Sequence, residues 1–207
     1  MTTNYSANTS GLTTKKIFVL LLLCQNLLLV ACTTITPKGP ELTAQLLSEE
    51  RRSREVILSD RMIEAEAYSE LNSERHLKEQ CHVNINAFNG TVLVTGQTPN
   101  EELSKNIIAI VQAIANVKLV HNNLMLDYPT DTATRNNDEL ITEGIKAALN
   151  QIRTIPDFYP SMIKVKTENS VVYLMGLVHR EEGTIAIKIT KLQPSVKEIV
   201  TIFEYID

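Results

Sequence analysis

The chain has 207 residues, 43% of them apolar and 21% charged, with only 7 Gly and 7 Pro. That composition excludes collagen, low-complexity disorder and a disulfide-dense scaffold. The 20 basic and 24 acidic residues leave a net charge of −4, which gives no global attraction to nucleic acid or anionic lipid, so any anion must be met by a local patch.

Lys15 and Lys16 precede a 14-residue apolar run, Ile17 to Val30, broken at Gln25 and Asn26. A membrane-spanning helix takes about 20 apolar residues, so the run is short for a span and right for the hydrophobic region of a signal peptide. It ends in Leu29, Val30, Ala31 and Cys32, which resembles a bacterial lipobox. Residues 1–31 are therefore expected to be a signal peptide, with Cys32 as the lipid-attachment residue. A diacylglycerol thioether plus an N-acyl chain of the palmitate kind exceeds the two signals that lasting anchorage needs. Thr33 follows the cysteine where Asp would be the inner-membrane retention signal, which points to the outer membrane and its periplasmic face. With Cys24 discarded and Cys32 acylated, Cys81 has no partner, and stability must come from the cores alone.

Residues 32–59 read as a lipidated tether. Pro37, Gly39 and Pro40 suit an extended spacer, and Glu41 to Leu58 has a helical pattern with balanced charge. Arg51, Arg52 and Arg54 are open to two readings, a solvated face or a contact with lipid headgroups.

The rest of the chain is one unit used twice. His82 to Gly96 aligns with Met162 to Gly176, each alternating apolar and polar residues around Asn89-Gly90 or Asn169-Ser170, the signature of a two-residue β-hairpin. Gly96 and Gly176 close the hairpins and are expected to be structural glycines, set where the following helix packs closely. Each hairpin is preceded by an amphipathic helix, expected over Asp60 to Leu71 and Asp138 to Arg153. After the first hairpin, Thr98 as N-cap, Pro99 at the first helical position and Glu101 at the third start another helix. After the second, Thr184 to Thr190 reads alone as a strand and by the repeat register as a helix. The register is followed here. Val117 and Val196 then lead into final strands. The fold expected is α+β: tandem αββαβ units over 60–127 and 138–207, each a three-stranded sheet covered by two helices, joined by a polar linker over 128–137.

This αββαβ unit, with an apolar residue, any residue and glycine closing its second strand, resembles the BON domain (bacterial OsmY and nodulation). The likeness covers Asp60 to Asp207. It is most specific over Gly90 to Ser104, over Val165 to Asn169 and over Tyr173 to Val178. With the lipobox and the tandem arrangement, it is similar to dual-BON outer-membrane lipoproteins. That resemblance implies a non-enzymatic protein whose second BON domain binds an anionic phospholipid membrane and supports envelope integrity. It also implies links to cell-division factors and to the outer-membrane protein assembly machinery.

On the residues themselves, Ile141, Ile145, Ala148, Leu149 and Ile152 form the core stripe of the fourth helical segment. Leu140, Glu143 and Ala147 lie opposite with Lys146 on a flank, and this face is the expected phospholipid-binding site. Leu140 is taken to stand near an unpaired helix N-terminus whose N–H groups meet phosphate. Residues 60–127 hold 5 basic and 9 acidic groups against 8 and 10 in 138–207, which favours the second domain for an anionic surface. Lys164 and Lys166 share a polar strand face, either solvated or against headgroups. Phe158 and Tyr159 either dip into a membrane interface or cover the core.

No phosphate loop, HExxH, paired CxxC or nucleophile elbow occurs, so no enzyme activity, cofactor, metal or nucleic-acid partner is expected. His76, Cys81 and His82 lack a fourth ligand near in sequence. The alternative function is a protein-binding scaffold for envelope assembly or peptidoglycan-remodelling factors, with membrane contact only through the acyl anchor.

Overall fold

The computed structural model describes residues 51–153 and 155–206, all within one compact unit. The signal peptide, Cys32 and the tether up to residue 50 lie outside the described residues. The elements are α1 (Arg54–Ser73), α2 (Arg75–Gln80), β1 (His82–Phe88), β2 (Thr91–Thr98), α3 (Glu101–Ala113) and β3 (Leu119–Leu126), then α4 (Thr132–Leu149), β4 (Ile163–Glu168), β5 (Val171–Val178), α5 (Arg180–Lys191) and β6 (Glu198–Tyr205).

Each sheet has three strands, in the orders β1-β2-β3 and β4-β5-β6, with an antiparallel hairpin and a parallel third strand. The hairpin turns need positive φ at both central residues, and Asn89 (52°), Gly90 (79°), Asn169 (50°) and Ser170 (66°) supply it. Both turns are held from below by an aspartate on the preceding helix. Asp60 accepts from Asn89 N and Gly90 N, each at 2.8 Å, and Asp138 accepts from Asn169 N at 2.7 Å and Ser170 N at 2.8 Å. Buried amides are thereby satisfied, and each hairpin is locked to its helix.

Gly96 and Gly176 mark a close approach, but the neighbour is β1 for Gly96 and the short 3-10 turn Pro160–Met162 before β4 for Gly176, not the following helix. A Cβ on Gly96 would lie 1.9 Å from His82 O, and one on Gly176 would lie 2.7 Å from Met162 O. The helix after the first hairpin is capped by Asn100, whose side chain accepts from Leu103 N at 2.9 Å; Thr98 instead ends β2, paired with Leu126. The linker expected over 128–137 is shorter, because Asp131 accepts from Thr134 N at 2.7 Å and caps a helix that starts at Thr132. The Thr and Asn residues there look like loop chemistry in the sequence, but the Asp131 cap recruits them into the helix. At its other end α4 stops at Leu149, so Gln151 to Arg153 are not helical. Thr184 to Thr190 is helical as the register required, with Ala186 and Thr190 buried against the sheet.

The helices α1 and α3 cover one face of the first sheet, enclosing Ile63, Ala67, Ile85, Val92, Val94, Ile107 and Val111. The second repeat does the same with Ile141, Ile145, Leu149, Val165, Val172, Leu174 and Ala186, and Phe158 joins this core. The uncovered faces of the two sheets pack on each other. Phe88 and Leu93 meet Tyr173 and Met175, flanked by Val171, Leu177, Val200 and Ile202. The order of layers is helices, sheet, sheet, helices. Each such side chain fully buried in the seam stabilises by about 1.5–3 kcal/mol.

Candidate functional site

The face expected to meet phospholipid lies on the outside of α4. Leu140 is 73% exposed, and Ala147 is exposed one turn beyond Glu143 and directly after Lys146. Ile141, Ile145 and Leu149 point the other way, into the core. Lys146 Nζ donates to Glu143 Oε1 at 2.8 Å, an exposed pair of low intrinsic strength. The structure therefore brings the four residues onto one face. It does not put Leu140 at a helix N-terminus. Because α4 begins at Thr132, the free N–H groups lie two turns away and Asp131 already takes one of them.

The chain just past α5 comes next to α4 at Gly144. Gly144 of α4 stands so close to Gln193 that a Cβ there would be 3.3 Å from its Oε1. Beside Gln193, Leu192 is 80% exposed, and Lys188 and Lys191 fill the last turn of α5. Neither α1 nor α3 has a basic residue in its last turn. The sequence reading missed these α5 residues because Thr184 to Lys191 alternates like a strand. Helical projection of that segment was the signal that would have found them. Position 62 was also missed: Met62, 62% exposed, corresponds in the first repeat to Leu140.

The other residues singled out by sequence are placed elsewhere. Lys164 pairs with Glu64 of α1 and donates to Ala87 O at 3.2 Å, so it ties the repeats together. Phe158 is buried and Tyr159 half-buried. Arg52 pairs with Asp60 at 2.8 Å and lies 3.7 Å over the Phe88 ring, so it braces the first turn. Cys81 Sγ contacts Thr98 Oγ1 at 3.6 Å, while His76 faces Glu74. Among the described residues no three groups are placed to hold a metal ion.

The seam between the sheets is polar at one end. Glu168, buried, accepts from Asn84 Nδ2 at 2.8 Å and from Gln97 Nε2 at 2.7 Å, with His82 Nδ1 at 3.4 Å. Burial pushes the Glu168 carboxyl up, yet the hydrogen bonds from His82, Gln97 and Asn84 together hold it below the ordinary carboxylate range. Burial, with Glu168 and Glu198 nearby, pushes the Tyr173 hydroxyl up to about 12, so it stays neutral. Ahead of α1, Arg51 forms a two-pronged pair with Glu182 at 2.6 and 2.7 Å and donates to Leu177 O at 3.0 Å. Burial raises the Glu182 carboxyl, and Arg51 and the His179 N–H overcome it and hold it low.

A model of the BON domain family matches residues 59–127 and 137–206. Outer membrane lipoprotein DolP of Haemophilus influenzae is 24% identical over 187 residues, which is 90% of this chain and 95% of that protein. A 21 kDa hemolysin of Actinobacillus pleuropneumoniae is 24% identical over 155 residues, covering 75% of this chain and 78% of that one. Among solved structures, the C-terminal domain of CdsD from the type III secretion system of Chlamydia trachomatis aligns with a TM-score of 0.28 at 10% identity. That alignment covers 72% of this chain and 67% of that chain.

Proposed function

This chain belongs to the BON-domain family through both of its repeats, and on that premise we propose that it is a non-enzymatic outer-membrane lipoprotein. Its acyl chains sit on Cys32, its domains face the periplasm, and the outer face of α4 touches anionic phospholipid. The work of this contact is support of envelope integrity, including at the division site. The likeness to an outer membrane lipoprotein over 95% of that protein's length supports the location. Among the described residues no helix is long and apolar enough to cross a membrane.

One observation carries the lipid contact: Leu140 stands 73% exposed on a helix whose other side is fully committed to the core. An aliphatic side chain at that position enters the acyl boundary, while Lys146 on the same helix, with Lys188 and Lys191 in the last turn of α5, supplies positive charge for the headgroups. The mode is insertion with lateral charge, without the helix N-terminus. Met62 is 62% exposed in the first repeat, but neither α1 nor α3 has a basic residue in its last turn.

The test is vesicle flotation of the protein carrying Cys32→Ala, with and without phosphatidylglycerol. The protein is expected to float with anionic vesicles only, less so at high salt. Leu140→Glu should lower the floated fraction at least tenfold with an unchanged melting curve, and Met62→Glu should leave it as it was. Equal flotation of Leu140→Glu and its parent would overturn the α4 contact.

A further inference from the structure

The helical pattern that runs from Glu41 to Leu58 in the sequence is interrupted in the structure. The chain bends at Arg51 and Arg52, and Ser53 caps a new start by accepting from Val56 N at 3.4 Å. The bend is fixed by the body of the protein, since Arg51 is fastened to Glu182 and Leu177, and Arg52 to Asp60. Residues 41–50, just ahead of this bend, lie outside the described residues.

The outer face of α1 is more apolar than that of α4. At 100° per residue, Arg54, Leu58, Arg61, Met62 and Ala65 fall on one side of α1, opposite Ile63, Ala67 and Leu71 in the core. Leu58 is 57% exposed and Met62 62%, and Arg54, Arg61 and Ala65 are exposed with them. The equivalent positions of Leu58, Met62 and Ala65 on α4 hold Asn136, Leu140 and Glu143, so only the first repeat has a continuous apolar stripe there. Arg54 and Arg61, along one flank of the stripe, have no ion-pair partner among the described residues. Of the nearby acids, Glu55 is turned back to Ser53 and its own amide, and Glu66 stands on the flank away from the arginines.

The sequence just ahead of the bend complements this face. Leu42 and Leu46 are one helical turn apart with Leu47 beside them, and residues 41–50 carry Glu41, Glu49 and Glu50 with no basic residue.

We propose that residues 41–50 of this chain form a helix that folds back along the outer face of α1 and covers it. Two helices joined by a turn of two to five residues pack antiparallel, and Arg51, Arg52 and Ser53 make such a turn. In that arrangement Glu50 lies by Arg54, Leu46 by Leu58 and Leu42 by Met62, with Glu41 in reach of Arg61. The exposed stripe of the first repeat is thereby occupied without a membrane, in keeping with a lipid face confined to the second. A helix this short is marginal on its own, so it forms on α1 and melts on release. Together with the acyl anchor proposed above, the contact sets how far the domains stand from the membrane. Released, the chain from Cys32 to Arg51 extends to about 65 Å, and docked, the chain from Cys32 to Glu41 extends to about 30 Å. That consequence rests on the anchor at Cys32, and the contact itself does not.

The experiment uses the full lipidated chain in nanodiscs of phosphatidylcholine, with a single fluorescent probe, since the chain has no tryptophan of its own. Leu46→Trp is expected to show blue-shifted emission and to be quenched by acrylamide at least threefold less than Thr36→Trp, in the spacer ahead of the segment. Adding Met62→Glu should abolish that protection with an unchanged melting curve. Adding Arg61→Glu instead should weaken it at least twofold, and Glu41→Lys on top of Arg61→Glu should restore it. Leu140→Glu in nanodiscs, and Cys32→Ala in buffer, should each leave the probe protected, so failure here is separable from failure of the lipid and anchor readings. Equal quenching at positions 46 and 36, or protection that survives Met62→Glu, would overturn the proposal. So would protection that rises with protein concentration, which would make a second copy the occupant, or protection that is lost in Cys32→Ala, which would make it the membrane.

Discussion

Gly96 and Gly176 occupy the same place in the two repeats but answer to different constraints. Gly96 has φ of +120°, a region closed to side chains, and its missing Cβ would lie 1.9 Å from a carbonyl oxygen. Gly176 has an ordinary φ, and its Cβ would meet Met162 O at 2.7 Å, at the end of the 3-10 turn Pro160–Met162 that leads into β4. Gly96→Ala should therefore cost more than Gly176→Ala, about 3–5 kcal/mol against about 1–3 kcal/mol. Urea denaturation of both variants checks this, and equal costs would show that the first hairpin relaxes as readily as the second. The glycines were visible in the sequence because each ends an alternating run. The partner atom was not, since only the antiparallel register puts β1 or the residue before β4 across from them.

At the scale of elements, the aspartates on α1 and α4 do the joining. Each helix can form by its own amphipathic pattern, and each hairpin by its turn, but Asp60 and Asp138 fix one to the other. Asp138→Ala leaves two turn amides without an acceptor, which is expected to cost about 2–4 kcal/mol. Asp60→Ala should cost more, because it also removes a carboxylate that pairs with Arg52. Thermal melts of the two single variants give the ranking, and a smaller effect at Asp60 would contradict it. In the sequence both aspartates look only like the starts of helices. The elements are legible wherever period and turn chemistry agree, as in both hairpins. The start of α4 is not legible, because Thr132 to Asn137 has weak helix propensity and Asp131 decides the matter by capping. At α5 only the repeat points to a helix, since Thr184 to Thr190 viewed alone has strand periodicity.

The whole molecule rests on the seam between the sheets, and Glu168 is the group there that titrates. Its folded pKa lies below the unfolded value, so the native state binds fewer protons than the unfolded chain in the interval between them. The stability it contributes is complete above the ordinary carboxylate pKa and is lost as pH falls through the depressed one. Glu182 acts in the same direction. The melting temperature is thus expected to hold from pH 8 to about 5 and then fall. Glu168→Gln should lower it at neutral pH, by about 1–3 kcal/mol in stability, with the gap to the parent shrinking in acid. A gap that stays constant with pH would show that Glu168 acts by shape alone. The stacking of the sheets has a signal in the sequence. Val171 to Leu177 is apolar at nearly every position, and such a run belongs to a strand covered on both faces. On β1 the same face shows Asn84 and Asn86, which read as solvent-facing polar residues, and nothing local tells that Glu168 receives one of them.

The Arg51 pair bears on how the molecule responds to force. The chain reaches the first domain only after Arg51 has been fastened to Glu182 and Leu177 of the second. A pull applied to the polypeptide ahead of Arg51, such as drag on a tethered particle would produce, meets this fastening before it meets α1. The load passes into the start of α5 and the end of β5, whose inner strand is flanked on both sides, while the first domain is shielded from peeling at its own entry helix. Mechanical strength at the point of entry is therefore set by a guanidinium and a carboxylate that share no domain.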